Sequence, residues 1–135
     1  MITAVDSSVL IDVLGADPTF GPGSRAALRR CVAEGTIVAC EIVWAEVLAA
    51  FPNPTTTEAV LDRIPVTFDA MDQLAARRAG ATWGEYRRRS GPRTRIVSDF
   101  VVGAHALEQA DRLLTRDRGF YRQAFTDLTI LDPTA

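Results

Sequence analysis

The chain has 135 residues, of which 47% are hydrophobic and 24% charged, with a formal net charge of −2. This is an ordinary globular composition that argues against disorder, and the balance argues against a protein that coats nucleic acid through bulk charge. No apolar run approaches the ~20 residues of a membrane span, and no basic-then-apolar leader precedes the first apolar segment. The expectation is one cytoplasmic domain over residues 1–135 that has no business in a membrane.

Taken in order, Ile2 to Val5 is a short apolar run that predicts a buried strand, with Asp6 directly after it. Ser7 and Ser8 can cap a first helix through Leu14, which Gly15 ends. A loop with Gly21-Pro22-Gly23 leads to a second helix over 24–33, closed by Gly35. Thr36 to Cys40 is a second strand of the continuously apolar kind that parallel sheets use. The next helix, EIVWAEVLAAF, carries an oddity. From Ile42 to Phe51 the only polar side chain besides the Trp44 indole is Glu46, with Ile42, Val43, Ala49 and Ala50 as its helical neighbours. Such a carboxylate must reach solvent, meet a cation or be neutralised.

Pro52-Asn53-Pro54 breaks that helix, and residues 55–63 predict another. Pro65 to Phe68 is a short edge strand or link; residues 69–80 are helical, with Gly80 and Gly84 expected to interrupt before Trp83 to Arg89. Ser98 is a favoured N-cap for a helix with Asp99 at the head of its apolar face, where Val102, Gly103 and Ala106 follow. Leu113 and Leu114 make a buried strand that stops at Thr115-Arg116-Asp117. A last helix over 118–125 and a last strand over 128–131 complete an alternation that predicts α/β architecture, a wound parallel sheet with helices on both faces.

Charge is unevenly placed. Residues 77–95 hold seven arginines (Arg77, Arg78, Arg87, Arg88, Arg89, Arg93, Arg95) against Glu85, so this segment carries +6 and the remainder −8. All 15 basic residues are arginine, the side chain suited to two-point phosphate contacts. The strip is a solvated face or an RNA contact, and Trp83 and Tyr86 within it either stack on unpaired bases or anchor the helix to the core. Arg116 and Arg118 flank Asp117 and can meet phosphate or neutralise acids. Cys31 and Cys40 lie in or beside apolar runs and predict reduced core thiols.

Four acids occupy matching places. Asp6 and Asp117 follow strands; Glu46 and Asp99 project from helices beside those strands. Strand C-termini of a wound parallel sheet share one edge, where such folds bind ligands. Convergence is costly: two carboxylates about 4 Å apart repel by roughly 4 kcal/mol at an effective dielectric near 20. Four together take up protons or collect a cation, and hard oxygen donors without His or Cys favour Mg²⁺ or Mn²⁺. That chemistry suits phosphodiester hydrolysis. Singly, Asp6 and Asp117 can be mere helix caps, Asp99 an ordinary first-turn acid, and Glu46 the partner of a buried arginine. Asp12 reads as surface, and His105, six positions round the helix from Asp99, as outside the site.

The segments DSSVLIDVL, EIVWAEVLAAF, SDFVVGAHAL and LLTRDRGFY, in that order and spacing, resemble the PIN-domain family, particularly VapC-type toxins of bacterial toxin–antitoxin pairs. The resemblance covers essentially the whole chain, with Ser7 standing where threonine is common. It implies a PIN-like three-layer α/β/α fold around a central, mostly parallel sheet. It further implies a Mg²⁺- or Mn²⁺-dependent endoribonuclease leaving 5′-phosphate and 3′-hydroxyl ends. Asp6, Glu46, Asp99 and Asp117 would be its catalytic and metal-holding acids, and Ser8 and Thr115 its supporting hydroxyls. Arg87, Arg88, Arg89, Arg93, Arg95 and Arg116 are candidate RNA contacts. A VapB-type antitoxin and a homodimer are implied as well. A receiver-type domain would need a lysine at the sheet edge, and a haloacid-dehalogenase-like phosphatase an Asp-x-Asp after the first strand; neither is present. A housekeeping PIN nuclease of RNA processing and a catalytically silent PIN fold that binds RNA or protein remain as alternatives.

Overall fold

Strands that are mostly apolar need cover on both faces, and the three inner strands obtain it. In the computed structural model, which describes residues 1–89, 96–117 and 119–134, β1 (Ile2–Val5), β2 (Thr36–Ala39) and β4 (Arg112–Leu114) are buried almost throughout. Strands β3 (Val66–Phe68) and β5 (Ile130–Leu131) are the edges of a five-stranded sheet in the order β3-β2-β1-β4-β5, with every pairing parallel. Among the described residues seven helices flank it: α1 (Ser7–Leu14), α2 (Gly21–Glu34), α3 (Glu41–Ala49), α4 (Pro54–Leu61), α5 (Gln73–Arg89), α6 (Val97–Gln109) and α7 (Phe120–Ala124). The predicted PIN-like α/β/α arrangement is the one observed. Leu10, Ile37, Val47, Phe100 and Leu114 are among the fully buried side chains of the core.

Several boundaries move for local reasons. Helix α5 runs unbroken through Gly80 and Gly84. Burial of Ala75 and Ala79, together with Trp83 and Tyr86 packed on Phe100 (ring centroids 6.2 and 5.3 Å), outweighs the roughly 1 kcal/mol that each glycine costs a helix. The helix starts at Gln73 rather than Asp69, because the Asp72 carboxylate accepts from the Ala75 N–H at 2.8 Å, while Asp69 turns to His105. Helix α6 begins one residue before Ser98, with Ile96 at the N-cap and no side-chain cap. Helix α2 begins at Gly21, earlier than expected, and α7 at Phe120, later.

Two charged groups are more buried than their sequence context suggests. Asp12 is 3% exposed instead of lying on the surface. Arg112 lies in β4 itself, its Nε donating to Thr3 Oγ1 (2.9 Å) and its Nη2 to Glu34 Oε1 (2.6 Å), and that bond holds the Glu34 carboxyl below its ordinary range. Cys31 and Cys40 are free and buried, as expected. Among the described residues no helix is long and apolar enough to cross a membrane.

Helix α6 packs against a ring at one glycine. A Cβ on Gly103 would lie 2.6 Å from Phe125 Cδ2 and 2.8 Å from its Cζ, and that ring is itself buried. Gly103→Ala is therefore expected to destabilise the protein by about 1–3 kcal/mol through overpacking, despite alanine's better helix propensity. Urea unfolding measures it, and a variant as stable as the parent would contradict the packing described.

Candidate functional site

From β1 the sheet winds one way through β2 to β3 and the other way through β4 to β5. The switch point lies between β1 and β4, and there an open α/β sheet leaves a crevice at its C-terminal edge. Register fixes which residues emerge together. Val5 pairs with Leu114 and Leu114 with Leu131, so Asp6 and Thr115 leave the sheet side by side. The Asp6 N–H donates to the Leu114 carbonyl (2.9 Å), extending the ladder one step beyond the strands.

Asp6 is buried and occupies the N-cap of α1, with its Oδ1 accepting from the Ser7 N–H at 2.8 Å. Its Oδ2 accepts from Thr115 Oγ1 at 2.7 Å and, more loosely, from Ser8 Oγ at 3.5 Å. Both hydroxyls singled out in the sequence thus bear on Asp6. Glu46 resolves its apolar surroundings by reaching the surface, where Ser7 Oγ donates to Oε1 at 3.2 Å. Asp117 lies two residues before the Gly119 N-cap of α7, its Oδ1 accepting from the Phe120 N–H at 3.1 Å, and its own N–H donates to Thr115 Oγ1 at 3.0 Å. Asp99 stands in the first turn of α6. The capping role of Asp6 and the bond of Asp117 to the first amide of α7 coexist with their shared edge, because helix starts and strand ends lie on the same rim of such a sheet.

Electrostatics tie the four together. Burial pushes the Asp6 carboxyl up, hydrogen bonds from Thr115 and Ser7 oppose it, and the charges of Asp99 and Asp117 add to the rise. Glu46 is also raised, by burial first, with Asp6 and Asp99 contributing and Ser7 opposing. The phenol of Tyr121, buried in α7, is raised by burial and then by all four acids at once. Hydrogen bonds link three of the acids directly: Thr115 Oγ1 bridges Asp6 and the Asp117 amide, and Ser7 bridges Asp6 and Glu46. Tyr121 is a residue that sequence reasoning missed; only a helical register relative to the sheet edge could have pointed to it.

Among the described residues no three or more His, Cys, Asp or Glu side chains are already closed around a point that could hold a metal ion. Like charges favour such spacing, and the carboxylates of Asp6, Glu46 and Asp117 accept from hydroxyls and amides. The donors nevertheless suit a hard divalent cation: all are oxygen, two have pKa values raised partly by their acidic neighbours, and neither His nor Cys joins them. His105 is 1% exposed and bonds Asp69 Oδ2 at 2.9 Å, away from the acids, as expected of it.

The arginines divide. Arg87, Arg88 and Arg89 are exposed in the last turn of α5; Arg87 lies over the Trp83 ring at 5.4 Å and Arg89 pairs with Glu85 at 3.8 Å. Trp83 and Tyr86 anchor that helix on Phe100, and Tyr86 also reaches Phe120. Arg93, Arg95 and Arg118 lie outside the described residues. Arg116, a candidate for meeting phosphate or neutralising acids, forms a two-point ion pair with Asp12.

A family model for the PIN domain matches residues 3–126. The chain belongs to the PIN-domain family. Comparison with curated protein sequences found no match. Among solved structures, the PIN domain is similar to VapBC2 of Rickettsia felis, solved bound to a DNA fragment from its promoter, with a TM-score of 0.77 at 16% identity over 98% of each chain. It is similar to VapBC-1 of nontypeable Haemophilus influenzae at 0.76 and 18%, covering 100% of both chains. It also resembles VapC20 of Mycobacterium tuberculosis, a toxin that cleaves the sarcin–ricin loop, at 0.63 and 14%, over 94% of this chain and 98% of that one. These neighbours are VapC toxins and VapBC toxin–antitoxin complexes. At such identities the likeness establishes the shared fold.

Proposed function

We propose that this PIN domain is a divalent-metal-dependent endoribonuclease and the toxin of a VapBC-type pair. The observation that carries the proposal is the hydrogen-bonded edge at the switch point of the sheet, where Thr115 Oγ1 bonds both Asp6 Oδ2 and the Asp117 amide and Ser7 bonds both Asp6 and Glu46. These four carboxylates would hold Mg²⁺ or Mn²⁺, which when bound supplies Lewis-acid stabilisation of phosphate charge and a more acidic water. The chain's own part is positional. Thr115 Oγ1 and the Ser7 amide hold Asp6 in one orientation, Ser8 supports the same carboxylate, and the Thr115 hydroxyl also fixes the Asp117 backbone. Glu46, surface-accessible and with a raised pKa, is the group suited to accept a proton from an attacking water. Hydrolysis would leave a 5′-phosphate and a 3′-hydroxyl.

An RNA substrate is favoured by the cationic end of α5 and by the sarcin–ricin-loop activity of one structural neighbour. Reversing Arg87, Arg88 and Arg89 to Glu is expected to weaken binding of single-stranded RNA by about tenfold or more near 50 mM salt, with the difference shrinking by about 200 mM. Filter binding at both salts measures this, and salt-independent loss would point to misfolding instead. A VapB-type antitoxin would cover the acidic cleft with a cationic segment, and a homodimer would form through helical faces. The decisive experiment maps RNA 5′ ends after brief induction in cells, with Asp99→Asn as control. Growth arrest relieved by the neighbouring gene's product tests the toxin role separately.

A further inference from the structure

We propose that the Asp12–Arg116 ion pair is a positioning device that holds the β4–α7 loop, and with it Asp117, in place at the acidic edge. The proposal deepens the nuclease reading and rests on it only for its metal-binding consequence. Arg116 stands between Thr115, which bonds Asp6, and Asp117, whose N–H bonds Thr115, so its side chain fixes the residue that joins them. Its Nε donates to Asp12 Oδ2 at 2.7 Å and its Nη2 to Oδ1 at 3.1 Å. Asp12 is almost fully enclosed, and its Oδ2 also accepts from Ser24 Oγ at 2.9 Å. The guanidinium lies over the Phe20 ring, 4.1 Å from its centroid. Helices α1 and α2, the loop between them, and the loop after β4 are therefore joined at one cation.

Stability alone does not account for this arrangement. An enclosed ion pair recovers little net free energy after desolvation, and apolar residues of similar volume often serve as well. What a two-point Arg–carboxylate bond supplies is direction. With Thr115 bonded to Asp6 on one side and Asp117 bonded to Phe120 on the other, a fixed Arg116 holds residues 115–117 in a single conformation. Arg116 is then a positioning residue and not an RNA ligand.

Removing one partner would strand a buried charge, so the informative variant replaces both, Asp12→Leu with Arg116→Met. It is expected to melt within a few degrees of the parent. Amide exchange at Asp117 and Phe120, measured in EDTA, should quicken about tenfold, and the Mn²⁺ concentration for half-maximal thermal stabilisation should rise about tenfold. Exchange as slow as in the parent would overturn the proposal. A parent chain that shows no Mn²⁺ response would sink the metal reading, while the exchange rates still decide the clamp. If the double variant does not fold, Arg116→Lys, which keeps the charge and loses the fork, carries the same measurements.

Discussion

Asp99→Asn is expected to abolish divalent-dependent RNA cleavage, by well over the ~100-fold typical of losing a group that only supports a metal ligand, while the protein stays folded. Asn keeps the shape of the carboxylate and removes its charge. Asp99 contributes to the raised pKa of both Asp6 and Glu46, so its neutralisation relieves repulsion and should leave the metal-free protein at least as stable as before. Activity and stability thus move in opposite directions, which a purely structural role for Asp99 would not produce. The assay is cleavage of total RNA with Mg²⁺, with Mn²⁺ and with EDTA, alongside melting in EDTA. Undiminished cleavage by the variant, or cleavage indifferent to EDTA, would remove the nuclease assignment.

The second large effect is expected from Thr115→Val. Its hydroxyl donates to Asp6 Oδ2 and accepts from the Asp117 N–H, and Thr115 is fully buried. Valine keeps the volume and strands a carboxylate oxygen and an amide together, a loss of about 2–4 kcal/mol, or roughly 6–15 °C in Tm. The pH dependence identifies the group responsible. Burial makes the folded Asp6 carboxyl hold its proton above the ordinary value of 3.8, and the Thr115 bond is the strongest influence in the other direction. The folded state therefore binds the proton more tightly than the unfolded one. Asp6's contribution is fully present below the unfolded value and is lost as pH climbs through the folded one. Without Thr115 the folded value moves higher still, so the variant should go on losing stability over a pH range where the parent has levelled off. Melting from acid to neutral pH in EDTA tests this, and parallel curves would place the cost elsewhere.

Much of the fold was legible because its signals are local. Continuously apolar runs marked β1, β2 and β4 as strands covered on both faces, and the alternation with helices fixed a parallel winding. The least legible boundaries were those where tertiary contacts overruled a local preference, as at Gly80 and Gly84, where core packing keeps α5 intact. Asp6 and Asp117 were legible as candidates because they follow strands, and Asp99 because it opens a helix, positions that share an edge in a wound parallel sheet; Glu46 was legible as the lone carboxylate on the apolar stripe of α3.

Partnerships were a different matter, since a sequence states that a charge exists but not which way it faces. Asp12 and Arg116 are 104 residues apart, and nothing in the spacing of either indicates that the arginine meets an enclosed carboxylate. Tyr121 among the acids, Ser7 on Glu46 and Arg112 reaching Glu34 from within the sheet were settled in the same way. The chain by itself determined the layers, the winding and the acids at the sheet edge, because these follow from periodicity and from what polar groups at strand ends must do. Only the tertiary structure decided how those charges are paired, because pairing depends on the registers at which distant helices pack, and many registers bury the same apolar faces.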